Sequence, residues 1–166
     1  MSNLQSGDLP RKVSGRVSSK ASSKVFSKPP CRAQSWPIEQ LPGLTPADLD
    51  QLQRCEIHST AQLLQRTQPS QKRQALAIRL QLHPQRLNKW VALADLAQAP
   101  AIGCDYCGLL LHAGVASLAQ LAATPVPRLH QQMLRLQVSM MQRPDLCPSL
   151  GLVTQWVEQA QSLIRA

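Results

Sequence analysis

The stretch LPGLTPADLDQLQRCEIHSTAQLL, residues 41–64, decides the fold, because it recurs as APAIGCDYCGLLLHAGVASLAQLA at residues 99–122. The two stretches align without a gap at an offset of 58 residues. Leu52 matches Leu110, and Ile57 matches Val115. Apolar residues at these spacings can fall on the buried face of a helix pair. The recurrence therefore predicts a duplicated helical unit.

A second recurring pattern closes each copy. The pattern L-x-x-W-V-x-x-A at residues 87–94 returns as V-x-x-W-V-x-x-A at residues 153–160. Its four fixed positions lie on one face of a helix, which places the tryptophans in a core more readily than on a base-stacking surface. The second copy is eight residues longer, in a stretch where Pro144 and Pro148 interrupt any helix. Each copy is predicted to contain a hairpin, a short helix, a middle helix and a longer closing helix.

Local signals fix several helix boundaries. Thr45 can cap a helix that begins at Pro46, since a threonine side chain accepts a bond from a free N–H group and proline suits the first helical position. Pro84 can begin the helix that carries the first tryptophan of the closing pattern. Gly114 is expected to end a helix, and Ser117 to cap the next one.

The composition agrees with an all-α class. Hydrophobic residues make up 43% of the 166-residue chain and aromatic residues only 3%, so the core must consist mainly of leucine, alanine, valine and isoleucine. β-Branched and aromatic runs with a period of two are missing, which argues against a sheet. The organisation expected is a disordered basic tail (residues 1–35), a first repeat (36–98) and a second repeat (99–166). Trp36, at the tail junction, either packs onto the edge of the domain or anchors a partner.

The N-terminal tail carries most of the positive charge. The chain has a formal net charge of +9, and residues 1–35 hold seven basic residues against one acid. A basic tail on a nearly neutral body suggests a polyanionic partner, and the alternative is a tail that only increases solubility. The candidate tail residues for nucleic-acid binding are Arg11, Lys12, Arg16, Lys20, Lys24, Lys28 and Arg32.

The two recurring stretches resemble the helix-hairpin-helix motif, in which a tight Gly-hydrophobic-Gly turn joins two short helices. Residues 38–163, including the closing NKWVALADLA at 88–97, also resemble an uncharacterised tandem helix-hairpin-helix family, a domain of unknown function common in cyanobacteria. The resemblance implies an all-α fold of two tandem, degenerate helix-hairpin-helix repeats. It implies no particular activity, because the family has none assigned.

Both hairpins depart from the DNA-binding form of that motif. In such hairpins, small residues let backbone N–H groups approach a phosphate. Thr45 stands where the second glycine is expected beside Gly43, and Ala101 stands where the first is expected beside Gly103. Asp105 places an acid where a phosphate would lie. The departures weaken the case for phosphate contact by the hairpins.

A second group of basic side chains lies in the body. The stretch QKRQALAIRLQLHPQRLNK, residues 71–89, contains no acid. It is either a solvated helix face or a binding surface. Its basic residues are Lys72, Arg73, Arg79, Arg86 and Lys89.

The pair Cys104 and Cys107 is the sharpest signal for chemistry. A C-x-x-C pair can be a redox dithiol or half of a zinc site, for which Cys147 and His112 are conceivable further ligands. The repeat favours a structural role, because Cys107 aligns with the apolar Leu49. The histidines are scattered, and no carboxylates are spaced for acid–base catalysis.

The sequence therefore favours a non-catalytic binding module without cofactor or metal. The first hypothesis is low-specificity nucleic-acid binding through the basic tail and the helical basic patch. The alternative is a protein-interaction or assembly module, with an acidic protein as partner. No small-molecule substrate is evident, and no apolar run approaches the ~20 residues of a membrane span. An odd number of cysteines without a secretory signal indicates a cytoplasmic location, with an organelle transit peptide as the minority alternative.

Overall fold

The computed structural model describes residues 31–141 and 147–166, and these residues form an all-α structure. A short 3₁₀ helix (Ile38–Gln40) precedes the α-helices, and Pro37 and Ser59 form an isolated β-bridge. The α-helices are α1 (Pro46–Arg54), α2 (Thr60–Thr67), α3 (Ser70–Arg79), α4 (Pro84–Leu96), α5 (Gly103–His112), α6 (Leu118–Ala123), α7 (Val126–Met141) and α8 (Leu150–Arg165). The predicted all-α class is confirmed.

The predicted disordered tail falls mostly outside the described residues. Of residues 1–35, the structure describes only 31–35, which form neither helix nor strand. Two of these residues contact the body. The N–H of Gln34 donates to the carbonyl of Gln98 at 2.8 Å, and the N–H of Cys31 lies 3.4 Å from Ser162 Oγ. The last residues of the predicted tail therefore lie against the helices.

The helices begin where the sequence provides caps. The Thr45 side chain accepts from the N–H of Asp48, and Pro46 is the first residue of α1. Ser117 caps α6 through the N–H of Gln120 at 3.1 Å. Pro84 is the first residue of α4. These predicted boundaries are confirmed, and each follows from an otherwise unsatisfied N–H group or from the fixed φ of proline.

The turns after α1 and α5 have the same left-handed geometry. Gly114 ends α5 with a φ of 90°, in the left-handed region that favours glycine. The residue 58 positions earlier is Glu56, whose φ is 60°. A side chain in this conformation costs about 1–2 kcal/mol, so the first copy forms the same turn under strain.

The core is a single apolar cluster. Helix α2 packs against α3 and α4, α8 packs against α6 and α7, and α5 packs against both α4 and α7. Trp90 and Trp156 are among the largest fully buried side chains, at 1% and 0% exposure. The indole N–H of Trp156 donates to the carbonyl of Ala101 at 2.9 Å. Both tryptophans are core residues, as the helical pattern predicted.

Trp36 packs at the junction between the two copies. Its indole N–H donates to the carbonyl of Ala97 at 2.7 Å, and its backbone N–H donates to Thr60 Oγ1 at 3.0 Å. Its ring covers Gly103, where an added Cβ would meet the ring at 3.1 Å. Of the two roles considered for Trp36, the structure shows packing onto the domain.

Among the described residues, no helix combines the length and the apolar character that crossing a membrane requires.

Candidate nucleic-acid interface

The first hairpin, residues 41–45, is closed by a carboxylate of its own chain. Asp48 Oδ2 accepts from the Thr45 N–H at 2.9 Å and from the Thr45 hydroxyl at 2.7 Å. Arg86 donates to the same oxygen at 2.6 Å. Asp48 is 4% exposed and lies in the first turn of α1, where the helix dipole favours negative charge. An internal carboxylate therefore fills the place that an external anion would take, while Gly43 is exposed with a φ of 82°.

The second hairpin, residues 99–103, is also satisfied within the chain. The N–H of Ala101 donates to Gln159 Oε1 at 2.9 Å, and the N–H of Gly103 donates to the carbonyl of Ala99 at 3.0 Å. Gly103 is buried under Trp36. Because these N–H groups already have acceptors, this hairpin joins α4 to α5 rather than presenting donors to a ligand.

The predicted basic residues of the body lie on two consecutive helices. Lys72, Arg73 and Arg79 belong to α3, and Arg86 and Lys89 belong to α4. Lys72 and Arg79 are seven residues apart, which places them on one face of α3. Arg32 is exposed, and the other six predicted tail residues lie outside the described residues: Arg11, Lys12, Arg16, Lys20, Lys24 and Lys28.

Ion pairs neutralise only part of this charge. Residues 57–94 contain six basic residues and no acid. Arg66 pairs with Glu56 at 3.1 Å, and Arg86 pairs with Asp48 at 2.6 Å while lying 5.5 Å from the Trp90 ring centroid. In residues 31–141 and 147–166, no acidic partner is present for the remaining four. We call these the basic face: Lys72, Arg73, Arg79 and Lys89.

Arg73 differs from the rest of the basic face because it is half-buried. Its guanidinium donates to Asn88 Oδ1 at 3.3 Å, and its buried Nε has no hydrogen-bond partner in the described part of the chain. Arg73 lines two hollows, of about 190 Å³ and about 410 Å³. Sequence reasoning did not find the larger hollow, because it joins α2–α4 to the turn before α6, which is distant in the chain.

The C-x-x-C pair is a poor source of thiolate. Cys107 is fully buried, and its thiol lies 3.5 Å from the carbonyl oxygen of Cys104. Burial, followed by the neighbouring Cys104, raises the pKa of Cys107 to about 12. Burial, followed by Asp105, also raises the pKa of Cys104. Reactive dithiols need a lowered thiol pKa, so this environment favours the structural role.

The structure brings together one pair that the sequence did not suggest. Cys147 Sγ lies 3.9 Å from His130 Nε2, whereas the sequence had paired Cys147 with His112 as conceivable zinc ligands. Burial raises the pKa of Cys147, which opposes an activated thiolate. Across the described ranges, no three or more histidine, cysteine, aspartate or glutamate side chains are grouped to hold a metal ion.

A family model described as "Domain of unknown function (DUF4332)" matches residues 42–163, from the first hairpin to near the end of α8. Comparisons with curated proteins and with solved structures gave no match.

Proposed function

Because this chain belongs to the DUF4332 family, whose description assigns no activity, we propose its function from its own residues: a non-catalytic module that binds nucleic acid with low sequence specificity. The basic face would contact backbone phosphates, which position a protein without reading the base sequence. The N-terminal tail would add further phosphate contacts.

The observation that carries the proposal is the positive charge of residues 57–94, an acid-free stretch that covers α2, α3 and most of α4. Lys72, Arg79 and Lys89 are exposed, and no described acidic residue neutralises them. Uncompensated cations on neighbouring helices produce a positive potential that attracts a polyanion. We assign no phosphate contact to the hairpins, since Asp48 accepts from the Thr45 N–H group and Gln159 accepts from the Ala101 N–H group.

We also propose that the chain consists of two tandem, degenerate helix-hairpin-helix repeats. Equivalent backbone and side-chain bonds at the 58-residue offset support this assignment. The matched bonds are Ile57 N–H to Leu52 O with Val115 N–H to Leu110 O, both at 3.0 Å, and His58 N–H to Gln62 Oε1 (2.7 Å) with Ala116 N–H to Gln120 Oε1 (2.9 Å).

A cytoplasmic location belongs to the same proposal. All five cysteines are free thiols, which is typical of proteins in a reducing compartment.

The test is a salt titration of duplex DNA binding by fluorescence anisotropy. The variant Lys72→Gln/Arg79→Gln/Lys89→Gln should bind more weakly and should flatten the log–log salt slope by about 2–3, since each phosphate contact contributes about 0.9. The matched control, Arg54→Gln/Arg128→Gln/Arg135→Gln, removes three exposed charges from α1 and α7 and should change the slope much less.

A second variant tests the tail. Deleting residues 1–30 removes six basic residues and retains the contacts of Cys31 and Gln34 with the body. The slope should fall by up to about 5. Equal losses in the two triple variants, or a wild-type affinity that does not depend on salt, would contradict the proposal.

A protein-interaction module remains the second candidate, and apolar exposure on α7 favours it. Val138 and Met140 are 50% and 67% exposed, and Met140 lines a hollow of about 350 Å³ together with Tyr106 and Leu109. Purification of the native protein with and without nuclease discriminates the two candidates. A protein partner that survives nuclease favours the second candidate, and nucleic acid that co-purifies only without nuclease favours the first.

A further inference from the structure

We propose that the hollow of about 410 Å³ beside Arg73, here the Arg73 groove, holds one unstacked nucleotide of a single-stranded nucleic acid. Its phosphate lies at Arg73 and its base lies along α4. This inference rests on the proposed function and deepens it, because it names single strands as the ligand and identifies a site for one nucleotide.

Arg73 is suited to a phosphate. A guanidinium offers five N–H donors in a planar fork that matches phosphate oxygens. Among the described residues, its guanidinium makes one hydrogen bond, of 3.3 Å to Asn88, and the buried Nε has no acceptor. A half-buried cation with unused donors gains more from a phosphate than a solvated lysine does, because less water competes.

One face of α4 forms the long wall of the groove. Asn88, Val91, Ala92 and Asp95 all line it, at the i, i+3, i+4, i+7 spacing of a single helix face. At 1.5 Å per residue, the wall extends about 10 Å from Asn88 to Asp95. That length corresponds to one nucleotide measured from its phosphate to the far edge of its base.

The two ends of the groove differ in polarity. Arg73 is held at the Asn88 end. Asp95 lies at the other end, where its Oδ2 accepts from the Leu118 N–H at 2.8 Å and its Oδ1 accepts from Gln98 at 2.9 Å. These bonds fix the carboxylate, and each oxygen retains a lone pair for the N–H groups of a base. The phosphate is therefore directed to Arg73, and the base edge to Asp95.

Part of the groove wall is apolar. Leu64, Val91 and Ala92 line it, and Gln68 and Ser117 add polar groups. Its volume of about 410 Å³ falls within the range of about 300–1,000 Å³ that is typical of small-molecule sites. Apolar walls suit the faces of a base that has left its stack.

A duplex cannot use such a groove, because its bases are stacked and paired inside the helix. Single strands present unstacked bases, and proteins recognise them with pockets of this kind beside a cationic surface. Lys72 and Lys89 are exposed on the same two helices, α3 and α4, that contribute Arg73 and Asn88, and we assign them to the phosphates of neighbouring nucleotides.

The experiment measures fluorescence anisotropy of a labelled mixed-sequence DNA single strand and of the duplex made from it, using the full-length protein. Wild type should bind the single strand more tightly. Ala92→Leu fills the groove without changing charge, and it should weaken single-strand binding about tenfold while leaving duplex binding unchanged. Its control is Ala75→Leu, at an exposed position of α3 outside the groove, which should bind both forms like wild type.

Comparing Arg73→Gln with Arg79→Gln separates the loss of the groove contact from the loss of one positive charge. Both variants lose one positive charge from α3, but Arg73→Gln should weaken single-strand binding about tenfold and Arg79→Gln only about threefold. Thermal melts of all four variants, with melting temperatures near wild type, exclude unfolding as the cause.

The outcomes separate the two proposals. If wild type binds nucleic acid but Ala92→Leu and Arg73→Gln match their controls, the groove assignment is overturned and the proposed function stands. If wild type binds neither DNA form, the proposed function fails and the groove assignment fails with it.

Discussion

At the scale of the residue, Asp48 determines which hydrogen-bond donors the first hairpin can offer to a ligand. A carboxylate in the first turn of α1 satisfies the Thr45 N–H group and the Thr45 hydroxyl that would otherwise be available to a ligand. It also pairs with Arg86, which for that reason is not part of the basic face. One side chain thus stabilises a helix terminus and removes an anion site.

Replacing Asp48 tests this dual role. Asp48→Ala should lower the free energy of unfolding by about 2–3 kcal/mol, because the capping box loses its carboxylate, the Thr45 donors lose their acceptor and Arg86 loses its partner. The Arg86 side chain is 44% exposed, so its pairing adds the smallest part of that loss. Urea denaturation gives the value. Asp50→Ala, on the exposed side of the same helix, should stay within about 0.5 kcal/mol of wild type, and equal effects would contradict the assignment.

Because the thiol of Cys107 is buried, the stability of the protein should fall at alkaline pH. Its folded pKa of about 12 exceeds that of a free thiol, about 8.5. The stabilising contribution is therefore complete below about pH 8.5 and is lost as the pH rises towards 12, since the unfolded chain ionises first.

Urea unfolding of wild type and Cys107→Ala at pH 7 and pH 10 measures this effect. Wild type should lose more stability than Cys107→Ala between the two values. Parallel losses in the two proteins would show that the Cys107 thiol ionises as readily in the folded state as in the unfolded one.

At the scale of the element, the second hairpin is a tight joint between α4 and α5. Gly103 has a φ of 53° and lies under the Trp36 ring. The position therefore needs a residue that adopts the left-handed conformation easily and that has no side chain to meet the ring. Gln159 and Trp156 on α8 bond to Ala101 from the other side. The joint is fixed by α8 and by the residues before α1, neither of which is its neighbour in the chain.

Two glycine substitutions should change the stability of the protein in opposite directions. Gly103→Ala should destabilise the protein by about 1–3 kcal/mol, because the new Cβ would lie 3.1 Å from the Trp36 ring in a left-handed conformation. Gly151→Ala, within α8 and with open space around its Cβ, should stabilise it by about 0.5–1 kcal/mol. Thermal melts followed by circular dichroism distinguish these results, and a neutral Gly103→Ala would show that the joint tolerates rearrangement.

At the scale of the whole molecule, the two copies depend on each other. Trp36 bonds to Thr60 and Ala97 and covers Gly103, and Asp95 of α4 caps α6 through the Leu118 N–H group. Helices α4 and α5 also pack directly together. The predicted boundary near residue 98 therefore lies inside a continuous core.

We expect residues 36–98 not to fold alone. The fragment would expose the Trp36 ring and the α4 surface that α5 covers, and a chain of this size buries too little surface to offset such losses. Circular dichroism should show reduced helicity and no cooperative thermal transition. A sharp transition in the isolated fragment would establish the first repeat as an independent domain.

The sequence by itself determined the helical class, the paired recurrence and the boundaries at Pro46, Pro84, Gly114 and Ser117, because caps, prolines and apolar spacing act over a few residues. It also predicted the burial of Trp90 and Trp156 from their periodic positions. Only the tertiary structure decided that Asp48 meets Arg86, that Trp36 covers Gly103 and that Arg73 lines a groove with Ser117. These contacts join segments distant in the chain, and their energies depend on distance and burial, which a linear pattern does not encode.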